Sequence, residues 1–122
     1  LIAEILLKTE QKIVLRFKFK LMSKIGIIIY ARLNSKRLPN KVLKKINQIP
    51  LIEIIYLRLK KKLKYKIIVN TSNNKSDDKI AKFCKNKKIS YFRGSLNDVF
   101  KRTKECLIKH KFSSFVRICS DR

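Results

Sequence analysis

Short apolar runs that alternate with helical patterns constrain this sequence more than any other feature. Residues 25–29 are continuously apolar, which is typical of a strand buried on both faces of a parallel sheet. Similar runs follow near 66–71, 89–92 and 115–119, and 51–62 between them carries apolar residues at helical spacing. Strands that alternate with helices form βαβ units, so the sequence predicts an α/β three-layer sandwich with a mostly parallel sheet.

Two further helices have recognisable starts. Ser76 is expected to cap one of them, because the acidic residues Asp77 and Asp78 that follow favour a helix N-terminus. Ser95 or Asn97 is expected to cap the other, which ends near residue 111. The side chains predicted to face the core from this last helix are Val99, Phe100, Thr103 and Leu107.

Residues 1–21 stand apart from this alternation. They begin without Met, precede Met22, and carry acidic residues that interrupt the apolar stretch a signal peptide needs. We expect them to be an upstream extension outside the domain. The chain stops about two residues after its last strand, where an α/β fold places a site loop, so we expect 22–122 to be the N-terminal part of a longer domain.

The charge of the chain leaves two interpretations open. The formal net charge is +24, but 24 of the basic residues are Lys and only 8 are Arg, and they are spread along the whole chain. That pattern is typical of an AT-rich genome and a solvated basic surface, while a polyanion partner is the alternative. In both cases the field favours an anionic ligand such as a nucleoside triphosphate.

Cysteine usage and hydropathy exclude several classes of protein. Cys84, Cys106 and Cys119 are widely spaced without a CxxC pair, so we expect reduced thiols in a cytoplasmic protein instead of a disulfide framework. No apolar run approaches the ~20 residues that span a bilayer.

A basic cluster directly follows the first predicted strand. It spans residues 31–41, ARLNSKRLPNK, with the cations Arg32, Lys36, Arg37 and Lys41 and the hydroxyl of Ser35. In an open parallel sheet the ligand crevice lies at the carboxyl ends of the strands, so these groups lie where a phosphate-bearing ligand would bind. The P-loop and GxGxxG patterns are absent. Charge alone leaves a solvated basic loop open as the alternative.

The segment 25–59, which contains this cluster, resembles the opening of the cytidylyltransferase family, the CMP-sugar synthetase-like enzymes. It is most similar to the spore-coat polysaccharide biosynthesis nucleotidyltransferases, whose opening is a strand, then Ala-Arg-x-x-Ser-x-Arg-Leu-Pro-x-Lys, then Pro-Leu-Ile. Later landmarks fit in order: Thr71-Ser72-Asn73 before Asp77-Asp78, Arg93-Gly94-Ser95 before Asp98-Val99, and Val116-Arg117 before Asp121. The resemblance covers about four-fifths of the chain, from Met22 to Arg122.

This resemblance implies a Rossmann-like nucleotide-diphospho-sugar transferase fold, truncated here, and transfer of CMP from CTP to a sugar with release of pyrophosphate. The product would be a CMP-sugar for cell-surface polysaccharide or glycoconjugate. The expected partners are CTP and a sugar, without a specific nucleic acid or a membrane, and a homodimer is left open. The full-length protein would be the enzyme and this fragment inactive alone. The alternatives are a basic polyanion-binding module or a catalytically inactive fragment.

The resemblance also implies roles for individual residues. Arg32, Ser35, Arg37 and Lys41 would hold the triphosphate, with Arg32 and Lys41 as the catalytic pair. Thr71, Ser72 and Arg93 would contact the nucleotide, and Asp121 would bind Mg²⁺ through its carboxylate. From the residues alone, Thr71 and Ser72 are equally expected as turn residues, Arg93 as surface charge and Asp121 as a loop residue.

Four positions depart from the family pattern. Asn40 and Gln48 stand where the family usually has Gly, and Tyr30 replaces a usual Gln or Pro. Ser120 replaces the Gly before Asp121, so we expect it to crowd the metal site.

Deletion of residues 1–21 is expected to leave the melting temperature nearly unchanged, because they have no place in the βαβ count. Thermal unfolding of residues 22–122 beside the full chain measures this. A drop of more than roughly 5 °C, which is about 1 kcal/mol for a domain of this size, would show that they belong to the core.

Overall fold

A computed structural model describes residues 24–120 of the chain. The predicted extension 1–21 and the predicted metal ligand Asp121 lie outside these residues. The strands in chain order are β1 (Ile25–Tyr30), β2 (Lys45–Ile46), β3 (Ile49–Pro50), β4 (Lys66–Ser72), β5 (Tyr91–Gly94) and β6 (Ser114–Cys119). The α-helices are α1 (Leu51–Lys62), α2 (Asp78–Asn86) and α3 (Val99–His110), and short 3₁₀ helices span Lys41–Leu43 and Lys75–Asp77.

Four strands form one parallel sheet in the order β5-β4-β1-β6. The central strand β1 pairs with β4 on one side and with β6 on the other, so that Ile28 lies opposite both Ile68 and Arg117. Three Ile side chains of β1, at positions 27, 28 and 29, are fully buried. The predicted α/β fold with a mostly parallel sheet is therefore confirmed.

The helices cover the two faces of this sheet unequally. Ile27, Ile29 and Val69 point to the face covered by α1 and α2, where they pack with Ile52 and Ile80 in the larger core cluster. On the other face the smaller cluster contains Ile28, Ile68, Cys106 of α3 and Phe112. Alternate residues of a strand point to opposite faces, so each buried strand serves both layers of the sandwich.

The chain reverses its direction across the sheet after β5. The connections through α1 and α2 step from β1 to β4 to β5, while the connection through α3 returns across the sheet to β6, beside β1. Because crossovers between parallel strands are right-handed, a reversal places α3 on the opposite face from α1 and α2. The reversal opens a crevice between the carboxyl ends of β1 and β6, which is where open α/β sheets bind ligands.

A small antiparallel hairpin, which the sequence patterns did not predict, lies between β1 and α1. Its strands β2 and β3 are joined by Asn47 and Gln48, both with positive φ (49° and 68°). Asn40 also adopts a left-handed conformation, with φ 58° and ψ 20°. Asn40 and Gln48 are the positions where the related family usually has Gly, and this backbone geometry explains that preference.

The capping and inward faces of two helices differ from the expectation. Ser76 is not a cap: its backbone N–H donates to the Asn74 side chain, and a 3₁₀ turn precedes α2. Asp98, not Ser95 or Asn97, caps α3 by accepting from the backbone N–H of Lys101. Phe100, predicted to face the core, is 82% exposed, and the buried side chains of α3 are Arg102 and Cys106.

The three cysteines are free thiols, as expected. Burial raises the pKa of the Cys84 thiol to about 12, and burial also raises the pKa of Cys106. Both therefore stay protonated near neutral pH and pack as small apolar side chains. No helix among residues 24–120 is long and apolar enough to cross a bilayer.

Gly26 in β1 lies directly beneath the ring of Phe112. A Cβ atom at this position would lie 2.2 Å from the Cε2 atom of Phe112, although the φ angle of Gly26 is not positive. The requirement for Gly here is therefore steric, since the small core cluster has no room for a methyl group.

Gly26→Ala is expected to lower stability by about 1–3 kcal/mol, because the methyl group must displace the Phe112 ring. Thermal and urea unfolding measure the loss. Phe112→Leu removes part of the ring and should recover stability in the double variant relative to the sum of the single variants. Strict additivity of the two single effects would contradict the steric explanation.

Candidate functional site

A cavity of about 600 Å³ lies at the carboxyl ends of β1 and β6. This is the switch point of the sheet, the place on either side of which successive strands are added in opposite directions. One wall is formed by the loop that follows β1, and another by Cys119 and Ser120 at the end of β6. Val99 and Arg102 of α3 also line the cavity. The loop contributes Arg32, Asn34, Ser35, Lys36, Arg37, Leu38 and Lys41 to the lining.

Apolar side chains of the loop hold its backbone against the sheet. Ala31, Leu33 and Val42 are 1%, 3% and 1% exposed and belong to the larger core cluster. Arg32 lies between two of these buried residues, so its own side chain is directed outward. The N–H groups of Ser35 and Asn40 both donate to the Leu33 carbonyl, at 3.0 and 2.9 Å. Buried residues on both sides of Arg32, and the two hydrogen bonds to the Leu33 carbonyl, therefore hold the start of the loop in a defined position.

The carboxylate of Asp77 joins this loop to the end of β4. Asp77 is fully buried, and its Oδ1 accepts the backbone N–H of Leu33 at 2.8 Å. Its other oxygen accepts the hydroxyl of Ser72. Asp77 was predicted only as a favourable residue in the first turn of a helix, and the structure turns its side chain inward instead. It fixes the position of the basic loop relative to the sheet.

The cavity is strongly cationic. Six of its lining residues carry positive charge, and among the described residues no carboxylate lines it: the cations are Arg32, Lys36, Arg37, Lys41, Arg102 and Arg117. Arg117 comes from β6, and its guanidinium lies 4.8 Å from the centre of the Tyr30 ring. The Tyr30 hydroxyl is 2.7 Å from the hydroxyl of Thr103 in α3. A phosphate chain with several negative charges matches this lining, since guanidinium forks and ammonium groups both bind phosphate oxygens.

The structure brings four of the predicted nucleotide-binding residues together and leaves three apart. Arg32, Ser35, Arg37 and Lys41 all line the cavity. Thr71 and Ser72 are fully buried within β4 and do not line it.

The remaining predicted contact, Arg93, lies on β5 outside the cavity lining. Its guanidinium donates to the carbonyls of Ser72 and Asn74 and pairs with Asp78 at 2.6 Å. In this arrangement Arg93 closes the turn after β4. Nucleotide contacts by Thr71, Ser72 and Arg93 stay predictions.

The described part of the cavity fits an anion and does not fit Mg²⁺. The metal prefers carboxylate and phosphate oxygens, and the described lining offers only cations and neutral groups. Residues 24–120 contain no group of three His, Cys, Asp or Glu side chains that could hold a metal ion. Asp121 follows the lining residue Ser120 but lies outside the described residues, so its role as a metal ligand stays a prediction.

Ser120 is built into the junction between β1 and β6. Its hydroxyl donates to the Tyr30 carbonyl at 2.6 Å, and its backbone N–H lies 3.3 Å from the same oxygen. The side chain is 3% exposed, so its hydroxyl bonds toward the protein. Replacement of the usual Gly thus adds a hydrogen bond between the ends of two neighbouring strands.

Sequence reasoning missed Arg102 altogether. The residue lies on the inward face of α3 with Val99 and Cys106, at offsets of three and four residues. A charged residue on the buried face of a helix was the available signal, because such charges are rare without a partner.

Comparison with known proteins decides the family. The model of the family described as "Cytidylyltransferase" matches residues 26–122, which is most of the chain. The chain belongs to the cytidylyltransferase family. The structure places the basic loop of this cytidylyltransferase chain at the carboxyl ends of the strands, as its position directly after the first strand predicted.

Two curated relatives share sequence with this cytidylyltransferase. An uncharacterized protein of Methanocaldococcus jannaschii is 41% identical over 99 residues, covering 80% of this chain and 41% of the relative. The spore coat polysaccharide biosynthesis protein SpsF of Bacillus subtilis is 30% identical over 105 residues, covering 82% of this chain and 44% of that protein. The chain therefore spans about two-fifths of the length of the relatives it matches.

Two solved structures resemble the fold. A cytidylyltransferase from Leptospira borgpetersenii superimposes with a TM-score of 0.75 and 32% identity, over 81% of this chain and 42% of that one. A CMP:2-keto-3-deoxy-manno-octonic acid synthetase complexed with CTP gives a TM-score of 0.61 and 25% identity, over 82% of this chain and 41% of that one.

Asp77→Ala is expected to destabilise the chain by about 2–5 kcal/mol, because the Leu33 amide and the Ser72 hydroxyl lose their buried acceptor. The matched control is Asp78→Ala, one residue away, whose side chain is 59% exposed and whose surface pair with Arg93 is worth less than about 1 kcal/mol. Urea unfolding measures both. Equal losses in the two variants would show that Asp77 does not anchor the loop.

Proposed function

We propose that this chain supplies the triphosphate-binding part of an enzyme that transfers CMP from CTP to a sugar and releases pyrophosphate. The observation that carries the proposal is the cationic cavity at the switch point of the sheet, with the residues of the family motif in its wall. A transferase of this class needs a site that neutralises a triphosphate, and the described lining contains cations without carboxylates.

The reaction places clear demands on such a site. A hydroxyl oxygen of the sugar loses its proton to solvent and attacks the α-phosphorus of CTP. A new bond joins that oxygen to the α-phosphorus, and the bond from the α-phosphorus to the oxygen that bridges to the β-phosphate breaks. Negative charge gathers on the departing pyrophosphate, so fixed cations beside it lower the barrier. Arg32, Arg37 and Lys41, which line the cavity, would neutralise this charge, and the Ser35 hydroxyl would donate to a phosphate oxygen.

Several parts of the proposal extend beyond the described residues. The sugar would bind in the part of the relatives that this chain does not cover, which is also why we expect the chain alone to turn over no sugar. Mg²⁺, with Asp121 as a ligand, belongs to the proposal. We also propose a cytoplasmic location, because CTP is an intracellular metabolite. A homodimer stays open.

The choice of CTP rests on relatives. The solved synthetase with CTP and the family description both support a cytidine nucleotide. The rival function is a polyanion-binding module, which the charge of +24 favours. The two differ in base preference and in salt dependence, since simple polyanion binding weakens steeply with salt.

Calorimetric titration of the 122-residue chain with CTP, ATP and an inorganic polyphosphate, each with Mg²⁺, separates the two functions. The proposal predicts that CTP binds more tightly than ATP. Arg37→Ala should weaken CTP binding by about tenfold or more, since a charge-assisted hydrogen bond contributes about 1.5–3 kcal/mol.

The control variant is Arg58→Ala, which removes the same charge from an exposed position of α1 outside the cavity. It should leave CTP binding nearly unchanged. Equal binding of all three ligands, lost together as salt rises and weakened equally by both variants, would replace the enzyme proposal with the polyanion-binding function.

A further inference from the structure

Arg102 is a charged side chain in the interior of the domain. It is 1% exposed and is the largest of the fully buried side chains. Its Nε donates to Oδ1 of Asn70 at 2.5 Å, and its Nη1 donates to the carbonyl of Ser95 at 2.8 Å. These two anchors, from the end of β4 and from the turn before α3, fix the plane of the guanidinium.

No carboxylate of residues 24–120 lies within salt-bridge distance of the Arg102 guanidinium. Both of its acceptors are neutral, and the ion pairs among residues 24–120 join Lys87 to Glu53 and Arg93 to Asp78. Burial, and then the positive charge of Arg32, lower the pKa of Arg102, and the more distant Asp77 carboxylate offsets only part of this effect. A guanidinium keeps its charge at neutral pH even so, because its ordinary pKa lies far above 7. Desolvation of such a group is unfavourable unless an anion accompanies it.

The position of Arg102 indicates where that anion would bind. Arg102 lines the cavity at the switch point, approaching it from α3, whereas Arg32 and Arg37 belong to the loop after β1. The two anchoring hydrogen bonds use Nε and Nη1 of Arg102, and its Nη2 makes no hydrogen bond to residues 24–120. A terminal nitrogen of an immobilised guanidinium is thus left for a ligand, with little conformational entropy to lose on binding.

We propose that Arg102 is a phosphate-binding residue of this site, whose Nη2 donates to a phosphate oxygen of the bound triphosphate. Arg102 and the loop cations then hold the phosphate chain from two different elements of the fold. This inference rests on the proposed function, because it takes a triphosphate as the ligand. It concerns recognition of the phosphate groups and does not depend on which base the nucleotide carries.

Asn70→Asp tests the proposal without removing Arg102. The Nδ2 atom of Asn70 has no hydrogen-bond partner among the described residues. The near-isosteric Asp therefore keeps the acceptor for Nε of Arg102 and gives the guanidinium an internal anion. This carboxylate competes with the ligand. Affinity for inorganic tripolyphosphate and for CTP should fall about tenfold or more, while the melting temperature is maintained or rises.

Arg102→Met and Arg102→Lys complete the experiment, with Arg58→Met as the control for loss of charge. Arg102→Met should weaken both ligands by about tenfold or more, and Arg102→Lys should weaken them because a single ammonium cannot keep both anchors and also bind the ligand. Arg58→Met should change the affinity less than about twofold. Circular dichroism confirms that each variant is folded at the titration temperature.

The outcomes separate this inference from the function on which it rests. The role of Arg102 in binding would be overturned if Asn70→Asp, or a folded Arg102→Met variant, bound tripolyphosphate and CTP as tightly as the wild type. Arg102 would then be a structural residue. Binding of tripolyphosphate, CTP and ATP with equal affinity and equal dependence on Arg102 would reject the CTP proposal and support the phosphate role. Absence of anion binding in the wild type would overturn both.

Discussion

The buried carboxylate of Asp77 holds the site together. It accepts the Leu33 amide from the basic loop and the Ser72 hydroxyl from the end of β4, so one residue joins the loop, the sheet and the start of α2. Without such a partner the Leu33 amide would be a buried donor without an acceptor, which is among the costlier defects in a protein interior. The cations of the loop repel one another, and a flexible loop would let them separate. A fixed Leu33 backbone keeps them around a single cavity.

Topology then determines which groups share that cavity. A reversal of strand order leaves the carboxyl ends of β1 and β6 as neighbours without a helix between them, and α3 crosses on the side opposite to α1. The phosphate-binding groups that we assign come from two such sources, the loop after β1 and the buried face of α3. The first set projects from a loop whose backbone is held at Leu33 by the Asp77 carboxylate. Arg102 is held by two hydrogen bonds before any ligand binds. Its guanidinium therefore needs little rearrangement to stabilise the negative charge that develops in a transition state.

The fold was largely predictable because its two central strands, β1 and β4, are buried on both faces and its connections are regular. Apolar runs at 25–29 and 66–69 marked β1 and β4, and the spacing in 51–62 marked α1. Side-chain direction in α3 was not predictable in the same way, since Phe100 is apolar yet 82% exposed while Arg102 is charged yet buried. Hydrophobicity ranks Phe100 as core, but the helical period through Val99, Arg102 and Cys106 follows the buried face.

Some residues of the site were likewise predictable from local sequence, and others were not. The cations of the 31–41 motif follow directly from its place after a buried strand, and they line the cavity. Burial of Thr71 and Ser72 inside β4 depends on how far that strand continues, and the inward turn of Asp77 depends on an amide 44 residues away in sequence. Long-range partners of this kind leave no periodic pattern in the sequence.

The pairing of β1 has a consequence for synthesis on the ribosome. One neighbour of this central strand, β6, pairs Ser114 with Ile25, so it emerges almost ninety residues later. Until then one edge of the most apolar strand in the sheet has no hydrogen-bonded neighbour, and exposed strands of that kind associate readily with other chains. Closure of such a long loop is also slow compared with local helix formation. The nascent chain therefore passes through a stage in which α1 and α2 can already cover one face of the sheet, while the crevice that would bind phosphate does not yet exist.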